Sequence, residues 1–244
     1  MTDIPRFFIE PNKIFNDKFV LENPRDIKKI RQVLRMQQGD LIILLDNNNH
    51  IYRASIEKLK KNGITGNIIA KDFIKKEHNK PKVILAQALT RAGKMDDIIR
   101  MNTEIGIDSF VPFESDHSIF KLKQFKPQKL DRWTKIATEA AKQSERFAIP
   151  SIGHPISFFE VLNIPADIKI LLHSRKVTNS QNIRSIKTKL TENGIILALV
   201  GPEGGFSSRE IQKAIESGFT IIYLDTPILR TETAGIVLSA ILLY

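Results

Sequence analysis

The sequence has no cysteine, one tryptophan and five histidines in 244 residues. Without cysteine there can be no disulfide, no thiolate metal site and no cysteine nucleophile. The histidines (His50, His78, His117, His154 and His173) form no i, i+4 pair or close cluster, so no metal is expected. No apolar run approaches the roughly 20 residues that a membrane helix needs. The start, Met1-Thr2-Asp3-Ile4-Pro5-Arg6, lacks a signal-peptide pattern. The expectation is a cytoplasmic protein with no membrane partner. Two common nucleotide fingerprints are also missing: G-x-x-x-x-G-K-[ST], and G-x-G-x-x-G near a first strand.

What is present fits a protein with a real core: 42% apolar and 26% charged residues, enough for one large domain or two smaller ones. The net charge is +10. The first eighty residues hold 16 Lys and Arg against 10 Asp and Glu, and the remainder 21 against 17. This denser positive charge suggests a polyanion partner. Compositional drift toward Lys, Ile and Asn would give the same sign.

Residues 1–72 read as a small β-rich unit. Arg6-Phe7-Phe8-Ile9 is either a basic, stacking cluster or an N-terminal strand tucked into a sheet. Arg25 to Met36 reads as one helix, with Ile27, Ile30, Val33 and Leu34 on its apolar face and Lys28, Lys29, Arg31 and Arg35 on the other. Leu41 to Leu45 is a strand, Asp46-Asn47-Asn48-Asn49 a hairpin turn, and Ile51 to Glu57 and Thr65 to Phe73 are further strands. Residues 73–81 read as a linker. From 82 to 244 strands and helices alternate, which predicts an α/β fold with a mainly parallel sheet.

Late in that region lies Gly201-Pro202-Glu203-Gly204-Gly205-Phe206-Ser207-Ser208. It follows the buried strand Ile195 to Val200 and precedes a capping box, Ser207-Ser208-Arg209-Glu210. Glycines there permit positive φ and let a ligand approach bare main chain; in open α/β sheets such loops, at strand carboxyl ends, hold ligands. The alternative is a tight turn with no ligand. The layout repeats: strand Thr220 to Leu224, turn Asp225-Thr226-Pro227, then Ile228-Leu229-Arg230-Thr231-Glu232-Thr233 and an apolar helix, Ala234 to Leu243. Charged residues between two buried elements mark either a site or an Arg230–Glu232 pair that caps the helix.

Together with Glu139-Ala140-Ala141-Lys142-Gln143-Ser144-Glu145-Arg146, these two stretches resemble the RsmE family, ribosomal RNA methyltransferases of the SPOUT class that act on N3 of a uridine in small-subunit RNA. Lys94, Thr103-Glu104-Ile105-Gly106-Ile107, Arg132-Trp133 and Val33-Leu34-Arg35…Gly39-Asp40 extend the resemblance over nearly the whole chain. It implies a PUA-like β-barrel domain followed by a trefoil-knotted α/β SPOUT domain, S-adenosylmethionine as methyl donor, 16S ribosomal RNA of the small subunit as partner, and a homodimer. The alternatives are a SPOUT enzyme acting on another RNA, such as transfer RNA, and a non-catalytic RNA-binding assembly protein. Four positions depart from the family's usual residues: Asp225 (for Gly), Pro227 (for Arg), Met101 (for a basic residue) and His117 (for an Arg nearby). Asp225 and Pro227 touch the cofactor loop.

The resemblance carries roles onto individual residues. Arg230 and Glu232 are the catalytic candidates, the first to stabilise charge on a uracil oxygen or to hold a phosphate, the second to accept the N3 proton directly or through water. His173, Ser174, Gly201, Glu203, Gly204, Gly205, Ile228, Leu229 and Thr233 are the donor-binding candidates. Arg6, Arg31, Arg35, Arg132 and Arg146 are the RNA-binding candidates; for Arg132 and Arg146 a solvated helix face is the equal alternative. Trp133 reads as core. Methylation at uracil C5 commonly uses a thiolate adduct, which this chain cannot form. The last helix is apolar almost all round and needs a cover on every side, which places Leu238 and Leu242 at a subunit interface.

Overall fold

The computed structural model describes residues 4–73, 80–91, 93–187 and 194–244, apart from the side chain of Lys187. The chain divides into two units: Met1–Lys76 with Ala141–Ala148, and Glu77–Ala140 with Ile149–Tyr244. Most of the expected linker, residues 74–79, lies outside the described residues. The sequence also predicts a helix from Ile183 to Leu190, and its residues 188–190 lie outside them too.

The first unit is a six-stranded sheet. Its strands are β1 (Arg6–Phe8), β2 (Ile14–Phe15), β3 (Lys18–Leu21), β4 (Leu41–Leu45), β5 (His50–Lys60) and β6 (Gly63–Phe73), in the order β1-β4-β5-β6-β3-β2. Only β1 and β4 run parallel. Alternate residues point to one core, where Phe7, Phe19, Leu21, Ile42, Leu44, Ala54, Ile56 and Ile64 are buried. The Arg6–Ile9 cluster is therefore a strand, with Phe7 fully buried. The β4–β5 turn is organised by Asp46, whose Oδ1 accepts from Asn48 N at 2.8 Å and whose Oδ2 lies 2.7 Å from His50 Nδ1.

The expected helix Arg25–Met36 is not one helix. Helix α1 (Pro24–Lys28), capped by Asn23 Oδ1 accepting from Arg25 N, passes into a π-turn over Lys29–Val33. Leu34 N bonds to Lys29 O, five residues back. The extra residue in the turn shifts the phase of every later side chain. Ile27 and Ile30 stay buried, but Val33 and Leu34 come out, 69% and 40% exposed, beside exposed Arg31 and Arg35. Residues 141–148 are held within this unit by buried Lys142, whose Nζ lies 2.5 Å from Asp26 Oδ1, and by Arg6 Nη2, 3.0 Å from Glu145 Oε2.

The second unit holds strands β7 (Lys82–Ala88), β8 (Ser109–Glu114), β9 (Ser151–Ile152), β10 (Ile156–Ser157), β11 (Ile168–Leu172), β12 (Gln181–Asn182), β13 (Ile195–Val200) and β14 (Thr220–Tyr223). The order is β10-β8-β7-β13-β11-β14-β12, with β9 also on β8, and every pair is parallel. Helices α2 (Lys94–Ile105), α3 (Pro127–Gln143), α4 (Phe158–Leu162), α5 (Ile183–Lys187), α6 (Ser208–Glu216) and α7 (Thr231–Leu243) alternate with the strands. Both faces of the sheet are covered, which is why β13 is apolar without alternation. Ile196, Ala198 and Val200 face one core, with α2, Trp133 and α7; Leu197 and Leu199 face the other, with Phe158 and Phe206.

The apolar face of α2 follows helical spacing, with Met95, Ile98, Ile99, Asn102 and Thr103 buried. Helix α7 packs with Gly235, Leu238, Ser239, Leu242 and Leu243 inward. Leu238 and Leu242, expected at a subunit interface, lie instead in this chain's own core, 0% and 3% exposed. The helix sits three residues earlier than the apolar run suggests, since Thr231 and Glu232 form its first turn. Its less buried side carries Thr233, Ile236, Val237, Ala240 and Tyr244. Among the described residues no helix is long and apolar enough to cross a membrane.

Candidate active site

Register sets the site. Val200 pairs with Gln87 on one side and Leu172 on the other, and Leu172 pairs with Ile222. Strands β13, β11 and β14 therefore end at one level, and the loops that follow them converge. Between those loops lies a cavity of about 430 Å³. Its walls are His173 and Ser174 after β11, Gly201 to Phe206 after β13, and Leu224 and Thr226 to Thr231 after β14, with Lys94 from α2. Leu172, Val200 and Ala234 close the apolar end.

The glycines of the middle loop are fixed by space. A Cβ on Gly204 would lie 2.9 Å from His117 Cβ, and Gly205 has φ +70°, a conformation that side chains rarely adopt. The loop is braced from behind. His117 Nδ1 lies 3.2 Å from both Gly204 O and Gly205 O, a place for its N–H. Ser207 Oγ donates to Asp116 Oδ2 at 2.6 Å, and buried Glu210 accepts from Asp116 N at 3.0 Å and from Ser207 N at 2.9 Å. The last of these bonds is half of the capping box read in the sequence, and Glu210 N completes it on Ser207 Oγ.

A chain of hydrogen bonds ties the third loop to the second. Thr231 Oγ1 donates to Gly201 O at 2.6 Å and accepts from Gln87 Nε2 at 3.1 Å. Gln87 and Thr231 are buried, and their bond satisfies the Gln87 amide N–H and the Thr231 hydroxyl, while Gln87 Oε1 is buried with no hydrogen-bond partner among the described residues. His173 Nδ1 lies 2.8 Å from Arg175 O, closing a tight turn after β11.

The charges at the rim are unequal. Arg230 is the N-cap of α7, exposed, and among the described residues its side chain makes no hydrogen bond or ion pair. It does not pair with Glu232. Glu232 faces Lys94 instead, Oε2 to Nζ at 3.4 Å, while Lys94 Nζ is 3.0 Å from Glu203 Oε1. Burial by itself would raise the Glu203 carboxyl pKa; its own backbone N–H and Lys94 outweigh that and hold it below the usual range. The same hydrogen bond to Glu203 raises the Lys94 pKa, against desolvation.

Two family models match: an RNA methyltransferase domain over residues 76–243 and an RNA methyltransferase PUA domain over residues 30–69. The ribosomal RNA small subunit methyltransferase E of Mesomycoplasma hyopneumoniae is 34% identical over 236 residues, covering 96% of each chain. The chain belongs to the ribosomal RNA small subunit methyltransferase E family. The enzyme of that name from Neisseria gonorrhoeae, solved bound to S-adenosyl methionine, is similar at a TM-score of 0.81 and 27% identity, with 98% of this chain and 96% of that one covered. A putative methyltransferase from Legionella pneumophila, solved with bound SAM, is similar at 0.84 and 27%, with 98% and 97% covered. The α/β fold preceded by a PUA-like domain, expected from the resemblance, is what this family membership carries.

The cavity gathers most of the residues singled out in the sequence. His173, Ser174, Gly201, Glu203, Gly204, Gly205, Ile228, Leu229 and Arg230 all line it. Thr233 and Glu232 do not: Thr233 is exposed on the far side of the first turn of α7, and Thr231 takes the place at the cavity. Of the departures from the family pattern, Pro227 lines the cavity and Asp225 does not. Arg31 and Arg35 are exposed, whereas Arg6 is engaged with Glu145 and Arg132 Nη2 lies 2.5 Å from Asp96 Oδ2. Trp133 is core, 4% exposed. Sequence reasoning gave no role to Gln87 or Lys94. The signal of Gln87 is chemical, a glutamine in an apolar strand; Lys94 entered only through the family resemblance, with no role attached.

Proposed function

We propose that this chain transfers a methyl group from S-adenosylmethionine to N3 of a uridine in 16S ribosomal RNA. The single observation that carries the reading is the convergence of three strand-end loops around one cavity in a chain of this family. The residues present fit the donor. The cavity is lined by three glycines, Gly201, Gly204 and Gly205, by apolar Leu172, Val200, Ile228, Leu229 and Ala234, and by the acidic Glu203. That set suits a flat base, a diol and an amino-acid moiety. Bound there, S-adenosylmethionine supplies an electrophilic sulfonium methyl.

The chain's own contribution is positioning and charge stabilisation. As the uracil N3–H loses its proton, negative charge spreads onto the flanking carbonyl oxygens. Arg230, at the rim with an unengaged guanidinium, is the group to take up that charge through its planar fork. The proton leaves to solvent at the mouth. Glu232, half-buried and facing Lys94, acts by fixing the first turn of α7.

Mapping of modified nucleotides in small-subunit RNA, with and without this protein, tests the reading; an unmodified uridine in both samples overturns it. Arg230→Ala should lower turnover about a hundredfold, the scale for one charge-stabilising donor, and leave melting and donor binding unchanged. Activity within a few-fold of the original would remove Arg230 from the reaction.

Three further parts belong to the same reading. The first is a division of labour: a PUA-like domain over 1–72 that grips RNA, largely through Arg31 and Arg35, and a donor domain over 82–244. The second is a cytoplasmic homodimer that buries the Ile236, Val237 and Ala240 side of α7. Val237→Glu should give a monomer by light scattering, and a dimer that survives it places the interface elsewhere. The third is the trefoil knot. The crowding of the loops after β11, β13 and β14 supports it, and stretching the chain from its ends should leave a residual tight loop; a fully extended contour would exclude one.

A further inference from the structure

Lys94 stands where three separate elements meet. It opens α2, while Glu203 belongs to the loop after β13 and Glu232 to the first turn of α7. One ammonium faces two carboxylates, at 3.0 Å and 3.4 Å. Both contacts are ion pairs, and Glu232 Oε2 is buried with no hydrogen-bond partner among the described residues. The charge of Lys94 is therefore what this oxygen has for compensation among the described residues. A lysine suits the place, being a compact point charge with three donors that can face two carboxylates from different directions.

We propose that Lys94 is a positioning residue for methyl transfer, holding the Gly201–Phe206 loop through Glu203 and the Arg230-bearing end of α7 through Glu232. The proposal rests on the reading of the cavity as the donor site. Lys94 itself also lines the cavity. Its effect is exerted through the two elements it joins. Both of those elements carry walls of the cavity: Gly201 to Phe206 on one side, Arg230 and Thr231 on the other. Without the ammonium, two carboxylates would face one another across a partly desolvated gap, where like charges repel more strongly than in water. That repulsion would press the Gly201–Phe206 loop and the first turn of α7 apart, at the two walls they give the cavity.

The test is a cycle of Lys94→Met, Lys94→Arg, Glu203→Gln and the Lys94→Met/Glu203→Gln double variant, in the full chain. Each is assayed for donor dissociation constant by calorimetry, for donor KM and kcat on small-subunit RNA, and for thermal midpoint. Lys94→Met should raise the donor constant and KM about tenfold, the scale of one charge-assisted hydrogen bond, with a smaller fall in kcat. Lys94→Arg should recover part of that loss. The double variant should be no worse for the donor than Lys94→Met alone, because the two residues act as one unit. A lowered melting point with unchanged donor KM would make Lys94 merely structural and overturn the proposal, as would strictly additive losses. If the original chain itself shows no donor binding, the reading of the cavity falls with it; if the original chain and Lys94→Met bind equally, only the role of Lys94 falls.

Discussion

Glu203 shows how a single residue serves both fold and site. Its carboxyl is held below the ordinary value despite burial, because its backbone N–H and Lys94 favour the charged form. A lowered folded pKa means a contribution to stability that is full above the unfolded carboxyl value and is lost as pH falls through the folded one. Glu203→Gln should therefore be less stable than the original chain at neutral pH, by roughly 1 kcal/mol for a partly exposed ion pair. The gap should narrow as pH falls below the ordinary glutamate value and close once the folded carboxyl takes up its proton, as read by denaturant unfolding at neutral pH and along an acid series. A deficit that persists unchanged in acid would mean the pair with Lys94 contributes nothing. At this scale the sequence was legible where local geometry demands one residue type. Gly205, at φ +70°, announces itself as part of a glycine-dense loop. Lys94 does not, because its two partners lie far along the chain and only folding brings them together. The Thr231-for-Thr233 exchange is of the same kind: both hydroxyls fit the motif, and the phase of one helical turn decides which of them faces the cavity.

At the scale of elements, caps and turns were the most readable features. The Ser207–Glu210 capping box stands as spelled, with Glu210 N on Ser207 Oγ and Glu210 Oε2 receiving Ser207 N. Ser207→Ala removes a cap on α6 and the hydroxyl that reaches Asp116. A loss of about 1–2 kcal/mol is expected, which calorimetry should see as a fall in melting temperature of about 2–8 °C for a chain of this size. A change under a degree would mean the brace behind the glycine loop carries no stability. The single helix expected over 25–36 breaks because apolar spacing cannot report a π-turn. Ile27, Ile30, Val33 and Leu34 fit a single face on paper; one extra residue per turn after Lys28 then swings the last two outward. The short strands β9, β10 and β12, two residues each, are too brief to leave any period at all.

For the molecule as a whole, the uneven charge has a measurable correlate. If the first unit holds RNA through its phosphates, affinity should fall steeply with salt as counterions are released. The double variant Arg31→Gln/Arg35→Gln should flatten the slope of log K against log salt by about one unit for each arginine that grips a phosphate. An unchanged slope would move the RNA grip elsewhere. Strand alternation in the sequence announced a parallel sheet, but not its order, since nothing in residues 168–172 says that they lie between two strands still to come. That order bears on time. The cavity depends on Thr231 reaching Gly201, thirty residues away, and on Gln87 reaching Thr231 across 144. Pairings so distant along the chain are slow to form, because loop closure must precede any reward. The core of β7, β8 and α2 can assemble while the cavity still lacks its third wall. In a refolding experiment, secondary structure should return first and ligand-binding competence last, in the slowest phase; simultaneous recovery would show that the walls and the sheet form as one.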